Sequence, residues 1–230
     1  MVLLDAAKGT LLGLACGDAL GRPVEFRSPA QISDQHGTLT DMVGHGTHGK
    51  PAGTVTDDTD LALCIVRSLV EEGEFDGQDI ADRFAAWYDD GPFDVGLMTA
   101  DAISEYQAGT SWRDAGREVW QRRAEGSNAG NGSIMRCAPH AIAFADNPST
   151  LEQVSTQSSA ITHYDPRCQY GCVILNHTIA GYLSGNDDPL TDAIERVDDD
   201  APDELVETIR LVPDLVDESQ LQNTGYVVHT

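Results

Sequence analysis

Apolar residues along this chain recur at three- and four-residue spacing far more than they alternate, the period of helices that bury one face. The pattern predicts helices near 3–20, 58–72, 78–89, 95–108, 113–124, 133–144, 151–161, 166–184, 190–198 and 203–222. No run alternates well enough for a strand or hairpin, so the expected class is all-α. The first predicted helix carries Gly9, Gly13 and Gly17 at four-residue spacing beside Ala6, Ala7 and Ala15. Glycine costs about 1 kcal/mol against alanine inside a helix. The stripe therefore predicts a close helix–helix approach and a central place in a bundle.

Two long polar segments interrupt the pattern. Residues 35–56 hold His36, Gly37, Gly44, His45, Gly46, His48, Gly49 and Gly53; residues 125–133 read Glu-Gly-Ser-Asn-Ala-Gly-Asn-Gly-Ser. Loops this long are usually functional or disordered, and each of these feeds the start of a predicted helix. The acidic stretch 187–204, with Pro189 and Pro202, reads as a solvated connector. With no internal repeat or low-complexity tract, residues 1–230 are expected to form one domain.

The most informative of these junctions is Thr54-Val55-Thr56-Asp57-Asp58-Thr59-Asp60. Thr56 or Asp57 falls at the N-cap of the apolar run that follows. At a cap the backbone turns from extended to helical, so Thr56, Asp57 and Asp58 can converge on one point. Oxygen-only ligands select Mg²⁺, Mn²⁺ or Ca²⁺ over zinc or copper. A plainer role is also open, with Asp57 and Asp60 spent on a capping box and the helix dipole.

Composition narrows the partners. The formal charge of −24 arises from 38 acidic against 14 basic residues, and only Lys8 and Lys50 are lysines. Nucleic acid and anionic membrane are poor partners for such a surface. Dispersed acid with scarce lysine points to a halophilic protein that stays soluble where salt screens self-repulsion. No stretch approaches the roughly 20 apolar residues of a membrane span, and the N-terminus lacks a basic leader. Five cysteines without a C-x-x-C pair are expected in a reducing cytoplasm. Cys168 and Cys172, near His163 and His177, fit no common zinc spacing.

Other candidates are weaker singly. Gly130-Asn131-Gly132-Ser133 ahead of a predicted helix suits an anion, with Arg136 as a guanidinium clamp, although a turn and an ion pair are equally open. Glu25, beyond the glycine- and proline-marked end of the first helix, is a general-base candidate or a surface partner of Arg22 or Arg27. Asp94 and His163 are each open to a capping role.

Taken in order, Gly17-Asp18-Ala19-Leu20-Gly21 with Pro23 and Glu25, Thr56-Asp57-Asp58-Thr59, Asp94-Val95-Gly96, Gly130-Asn131-Gly132-Ser133 with Met135-Arg136, and Thr162-His163 resemble the ADP-ribosylglycohydrolases. The resemblance spans nearly the whole chain. It implies an orthogonal all-α helical fold and metal-dependent hydrolysis of ADP-ribosyl glycosidic bonds at a binuclear Mg²⁺ or Mn²⁺ centre. The substrate would be an ADP-ribosylated protein or an ADP-ribose-containing small molecule. By the same likeness Thr56, Asp57 and Asp58 would be metal ligands, with Glu25 and Asp94 as acid/base candidates. Asn131, Gly132, Ser133, Arg136 and His163 would bind substrate. The family's late Gly-Asp-Thr-Asp-Thr-like stretch is not found before Thr230, so the chain reads as C-terminally shortened. Leu97 stands where relatives often have asparagine, and Val55 where an aromatic is common. The alternative expectation is an ADP-ribose-binding helical protein with impaired catalysis.

Overall fold

The computed structural model describes residues 4–124, 126–197 and 199–212. The fold is all-α. Eleven α-helices follow in chain order among the described residues: α1 (Leu4–Gly21), α2 (Pro29–His36), α3 (Asp57–Glu72), α4 (Gly77–Asp89), α5 (Leu97–Gln107), α6 (Ala115–Arg122), α7 (Ala138–Phe144), α8 (Pro148–Ala160), α9 (Pro166–Ser184), α10 (Pro189–Val197) and α11 (Asp203–Arg210). Short 3₁₀ turns occupy Arg22–Val24 and Ile134–Arg136. Within the described residues the extended pairing amounts to a single bridge between His45 and Lys50.

Local chemistry starts and stops these helices. Asp76 caps α4 by accepting from the Gln78 and Asp79 amides. Asn147 and Asp165 cap α8 and α9, each followed by a proline whose missing N–H costs nothing at a first turn. Left-handed glycines, Gly73 and Gly185, end α3 and α9.

Three apolar clusters hold the helices, the smallest joining Leu151 and Val154 of α8 to Ala180 of α9. Leu61 and Ile65 of α3, Ile80 and Phe84 of α4 and Ile103 of α5 pack with Trp112 and Ile161. Val173 and Ile174 of α9 pack with Ala193, Ile194 and Val197 of α10 and with Leu205 and Val206 of α11. The central helix is α9, which lies against α1, α7, α8 and α10.

Three sequence expectations are corrected. The first helix is peripheral: of its residues only Ala19 is buried, and a Cβ built on Gly9, Gly13 or Gly17 meets nothing within 4 Å. A glycine stripe permits a close approach without specifying a partner, and no described residue supplies one. The helix predicted over 133–144 is broken into the Ile134–Arg136 turn and α7, because Pro139 has no N–H to continue a helix from upstream. Helix α2 falls where no helix is predicted, between the first expected helix and the polar segment 35–56, which it enters by two residues. It buries no residue, so no apolar period marks it, and a Ser28–Gln31 capping box with Pro29 carries it instead. The helix expected over 203–222 is seen as Asp203–Arg210, and positions 213–222 lie outside the described residues.

Candidate active site

The head of α3 is built by α1 and by the loop before it. Thr56 is the N-cap, extended at φ −113° and ψ −162°, with its hydroxyl 3.4 Å from the Asp58 amide. Asp18, at the end of α1, accepts from the N–H and hydroxyl of both Thr56 and Thr59. Asp60 accepts from the Trp87 indole at 3.1 Å, so it forms no capping box. The two adjacent aspartates are thereby left for other work. Asp57 Oδ2 takes one bond from the Gly96 N–H at 3.3 Å, and Asp58 Oδ2 lies 3.2 Å from the Thr56 hydroxyl.

Glu25 and Asp94 come to the same place through His48. The His48 Nε2 is 2.8 Å from Glu25 and 3.7 Å from Asp94. Neither carboxylate plays its plainer role: Gly96, not Asp94, is the N-cap of α5, and Arg22 and Arg27 bond elsewhere. Arg22 is 2% exposed and threads the loop, donating to Thr54 O at 3.0 Å, His45 O at 3.2 Å, Lys50 O at 3.4 Å and Pro51 O at 2.9 Å. Gly46 is the pivot of this clasp: at φ 62° any Cβ would collide with Pro23. Phe26 and His45 also hold positive φ, 61° and 66°, strain that clusters at functional sites in general. The His48 ring is wedged between Phe93, edge-on at 5.5 Å, and Phe26 at 6.4 Å.

The electrostatics are those of a site short of positive charge. Burial, then the charges of Asp94 and Asp58, push Asp57 up to about 7. Burial, then the charge of Asp18, push Asp58 up to about 6. Glu25 is raised by burial and Asp94, against the opposing pull of His48. Carboxylates crowded this way resist ionisation together, and among the described residues no lysine or arginine forms an ion pair with them. Glu25, His48 and Asp94 each offer one ligand atom, all within 4.8 Å of one another. Hard oxygen donors, one histidine nitrogen and unrelieved repulsion fit a divalent cation of the Mg²⁺ or Mn²⁺ kind.

The glycine-rich loop reaches this cluster through Thr99. Its Oγ1 would lie 3.8 Å from a Cβ on Gly96 and 3.0 Å from one on Gly132. A Cβ on Gly132 would also come within 2.6 Å of His163 Cε1, so only glycine fits between the two residues. Asn131 is half-buried at the loop surface. Ser133 is turned inward, where its hydroxyl accepts from Ser159 at 2.8 Å and meets the Cys172 thiol at 3.5 Å. Arg136 departs from the expected anion clamp. It is 1% exposed, donates to Gly132 O and Thr162 Oγ1 at 2.7 Å each, and lies over the Phe84 ring. Its guanidinium shapes the loop from behind. The loop also leads into a 3₁₀ turn rather than an α-helix, so an anion there would meet backbone N–H groups without a helix dipole. His163, bonded through Nδ1 to Thr162 at 2.8 Å, is held neutral, its pKa lowered to about 3 by burial and by Arg136.

Beyond Asn128 the surface opens into a cavity of about 790 Å³ lined by Trp120, Arg123, Asn128, Asp165, Arg167 and Glu204 among others. The Asn128 Oδ1 is buried without a partner at its wall. Asp18, His48, Thr99 and Asn128 were given no role by the sequence. His36, His45 and His48 look alike in a glycine-rich loop, and only the docking onto Arg22–Val24 selects His48.

The order and placement of these motifs match one family. The ADP-ribosylglycohydrolase profile covers residues 1–230. The chain belongs to the ADP-ribosylglycohydrolase family. It is 37% identical over 182 residues to the ADP-ribosyl-[dinitrogen reductase] glycohydrolase of Rhodospirillum rubrum, aligning 79% of this chain with 59% of that protein. With the ADP-ribosylarginine hydrolase Tri1 of Pseudomonas putida it shares 33% over 242 residues, 99% of this chain and 59% of the relative. A solved ADP-ribosylglycohydrolase-related protein complex superposes with a TM-score of 0.76 at 28% identity, covering 97% of this chain and 71% of that one. The chain thus spans about three fifths of the length of these two curated relatives. Among the described residues no helix is long and apolar enough to cross a membrane.

Proposed function

We propose that this chain carries the active centre of a divalent-metal-dependent hydrolase that releases ADP-ribose from a modified protein or a small acceptor. The observation that carries it is the convergence of Glu25, Asp57, Asp58 and Asp94 beside the Gly132–His163 contact, with three of the four carboxyl groups held above their ordinary range. Thr56, Asp57 and Asp58 would hold the metal, with Glu25, His48 and Asp94 facing it. When bound, the metal would neutralise the cluster and polarise a water or the ribose hydroxyls.

The chain's own groups supply the rest. Breaking a bond at the anomeric carbon of ribose builds oxocarbenium character, which a carboxylate stabilises through space. Glu25 or Asp94 would take the proton of the attacking water as the acceptor departs. His48 holds the Glu25 carboxylate oriented for that transfer. The loop 131–133 would present backbone N–H groups to the diphosphate, and neutral His163 would serve as a hydrogen-bonding group rather than as a charge. The adenosine end would reach toward the cavity beyond Asn128, where Trp120 would offer an aromatic edge.

The test is release of ADP-ribose from arginine-modified protein with Mg²⁺ or Mn²⁺, run beside calorimetric titration with ADP-ribose. Turnover that chelator abolishes is the expected result. Binding without turnover would replace the hydrolase by an ADP-ribose-binding protein, and neither would end the reading.

A further inference from the structure

Four donors of the α3 head converge on the Asp18 carboxylate. The Thr56 N–H reaches its two oxygens at 3.1 and 2.9 Å, and the Thr56 hydroxyl reaches Oδ1 at 2.9 Å. Thr59 adds its N–H at 3.3 Å and its hydroxyl at 2.5 Å, both to Oδ2. A carboxylate offers about four lone-pair sites, so Asp18 is saturated by α3 and takes no ligand itself.

The consequence falls on Thr56. Its hydroxyl has one proton and two neighbouring carboxylate oxygens, Asp18 Oδ1 at 2.9 Å and Asp58 Oδ2 at 3.2 Å. The shorter contact takes the proton. With Asp58 ionised, Thr56 Oγ1 then meets Asp58 Oδ2 lone pair to lone pair, the Asp58 N–H approaching the hydroxyl only at 3.4 Å, an arrangement that positive charge against both oxygens relieves. The orphaned contact, buried at an N-cap, thereby points to a cation.

We propose that Asp18 is the positioning residue of this cation site: by taking the Thr56 proton it turns the hydroxyl's lone pairs toward Asp58 and holds them for a divalent metal. The inference rests on the metal-dependent reading above. Groups behind a ligand fix its orientation in metal sites generally. An amide in place of Asp18 fails at this, because asparagine brings one acceptor and two N–H donors to a face that already presents only donors. The Thr56 hydroxyl would then accept the amide N–H and spend its proton on Asp58.

The experiment measures Mn²⁺ affinity of the full chain by electron paramagnetic resonance, with folding checked by metal-free melting. Asp18→Asn and Thr56→Val are each expected to weaken Mn²⁺ binding by about tenfold or more, and Thr56→Ser by less than about twofold. The double variant Asp18→Asn/Thr56→Val is expected to bind no more weakly than the poorer single variant, since both changes remove the same oriented hydroxyl. Additive losses, or Asp18→Asn binding as wild type does, would overturn the role of Asp18 alone. Wild-type protein that binds no Mn²⁺ would remove the inference together with the metal reading. Should Asp18→Asn fail to fold, Thr59→Val decides: it spares the Thr56–Asp18 bond and should stay within about twofold of wild type, and a loss equal to that of Thr56→Val contradicts the proposal.

Discussion

Asp57 is 7% exposed, yet it carries no ion pair; its pKa is pushed up to about 7, and the sign of the resulting stability effect is fixed. The unfolded carboxyl titrates near 3.9, so between that value and 7 the folded state binds the extra proton. Ionising Asp57 therefore costs folding stability that grows as pH rises through this window and is complete above 7. Asp57→Asn removes the cost. In metal-free protein this variant should melt higher than wild type at pH 8, by an amount on the order of 2–4 kcal/mol, with the gap closing toward pH 4. A gap independent of pH would show that the carboxyl is not strained by charge. His140 shows the opposite case in the core, its pKa lowered to about 3 by burial, then by Arg136. It contributes stability above about 6.5 that is lost as pH falls toward 3.

At the scale of elements, two loops are held in non-helical shapes by single residues, and each is testable. Arg22 satisfies four carbonyls of the 45–54 segment. Arg22→Met keeps the apolar stem and strands the His45 and Thr54 carbonyls, since Lys50 O and Pro51 O keep backbone donors, so the loop should become protease-sensitive and stability should fall by about 2–4 kcal/mol. A loop that resists limited proteolysis as wild type does would contradict the clasp. Gly132→Ala should displace His163 and weaken ADP-ribose binding, read by calorimetry, while the helical circular dichroism is kept; unchanged affinity would remove the loop from the pocket.

The same scale shows what was legible beforehand. Helices with an apolar stripe were placed to within a few residues, and the start of α3 was read from Thr-Asp-Asp ahead of Leu61 to Val70, with the cap left between Thr56 and Asp57 until the structure gave it to Thr56. Helix α2 was not, because a helix stabilised by its cap and exposed on all sides leaves no period. The three-histidine loop announced a function without saying which ring served it. Arg136 misled for a physical reason: a guanidinium can grip an anion or carbonyls, and only burial distinguishes the two. The Gly9, Gly13 and Gly17 stripe misled because spacing describes a surface and not its partner.

Across the whole molecule, 38 acidic against 14 basic residues make repulsion a global term, and the site concentrates it. At 1 M salt the screening length falls to about 3 Å, so melting temperature should climb steeply from dilute buffer into molar KCl. Equal melting temperatures across that range would count against a halophilic design of the surface. Screening by monovalent salt acts everywhere, whereas a divalent ion at the α3 head acts locally. The two effects are therefore separable by mutation.

That separation gives the most direct test of the central claim, that the head of α3 is a divalent-cation site. Thermal melting is recorded in molar KCl with and without millimolar Mg²⁺ or Mn²⁺ for wild type, Asp57→Ala and Asp58→Ala. The account predicts that divalent ions raise the wild-type melting temperature and leave both variants unmoved. The same rise in all three proteins would contradict it.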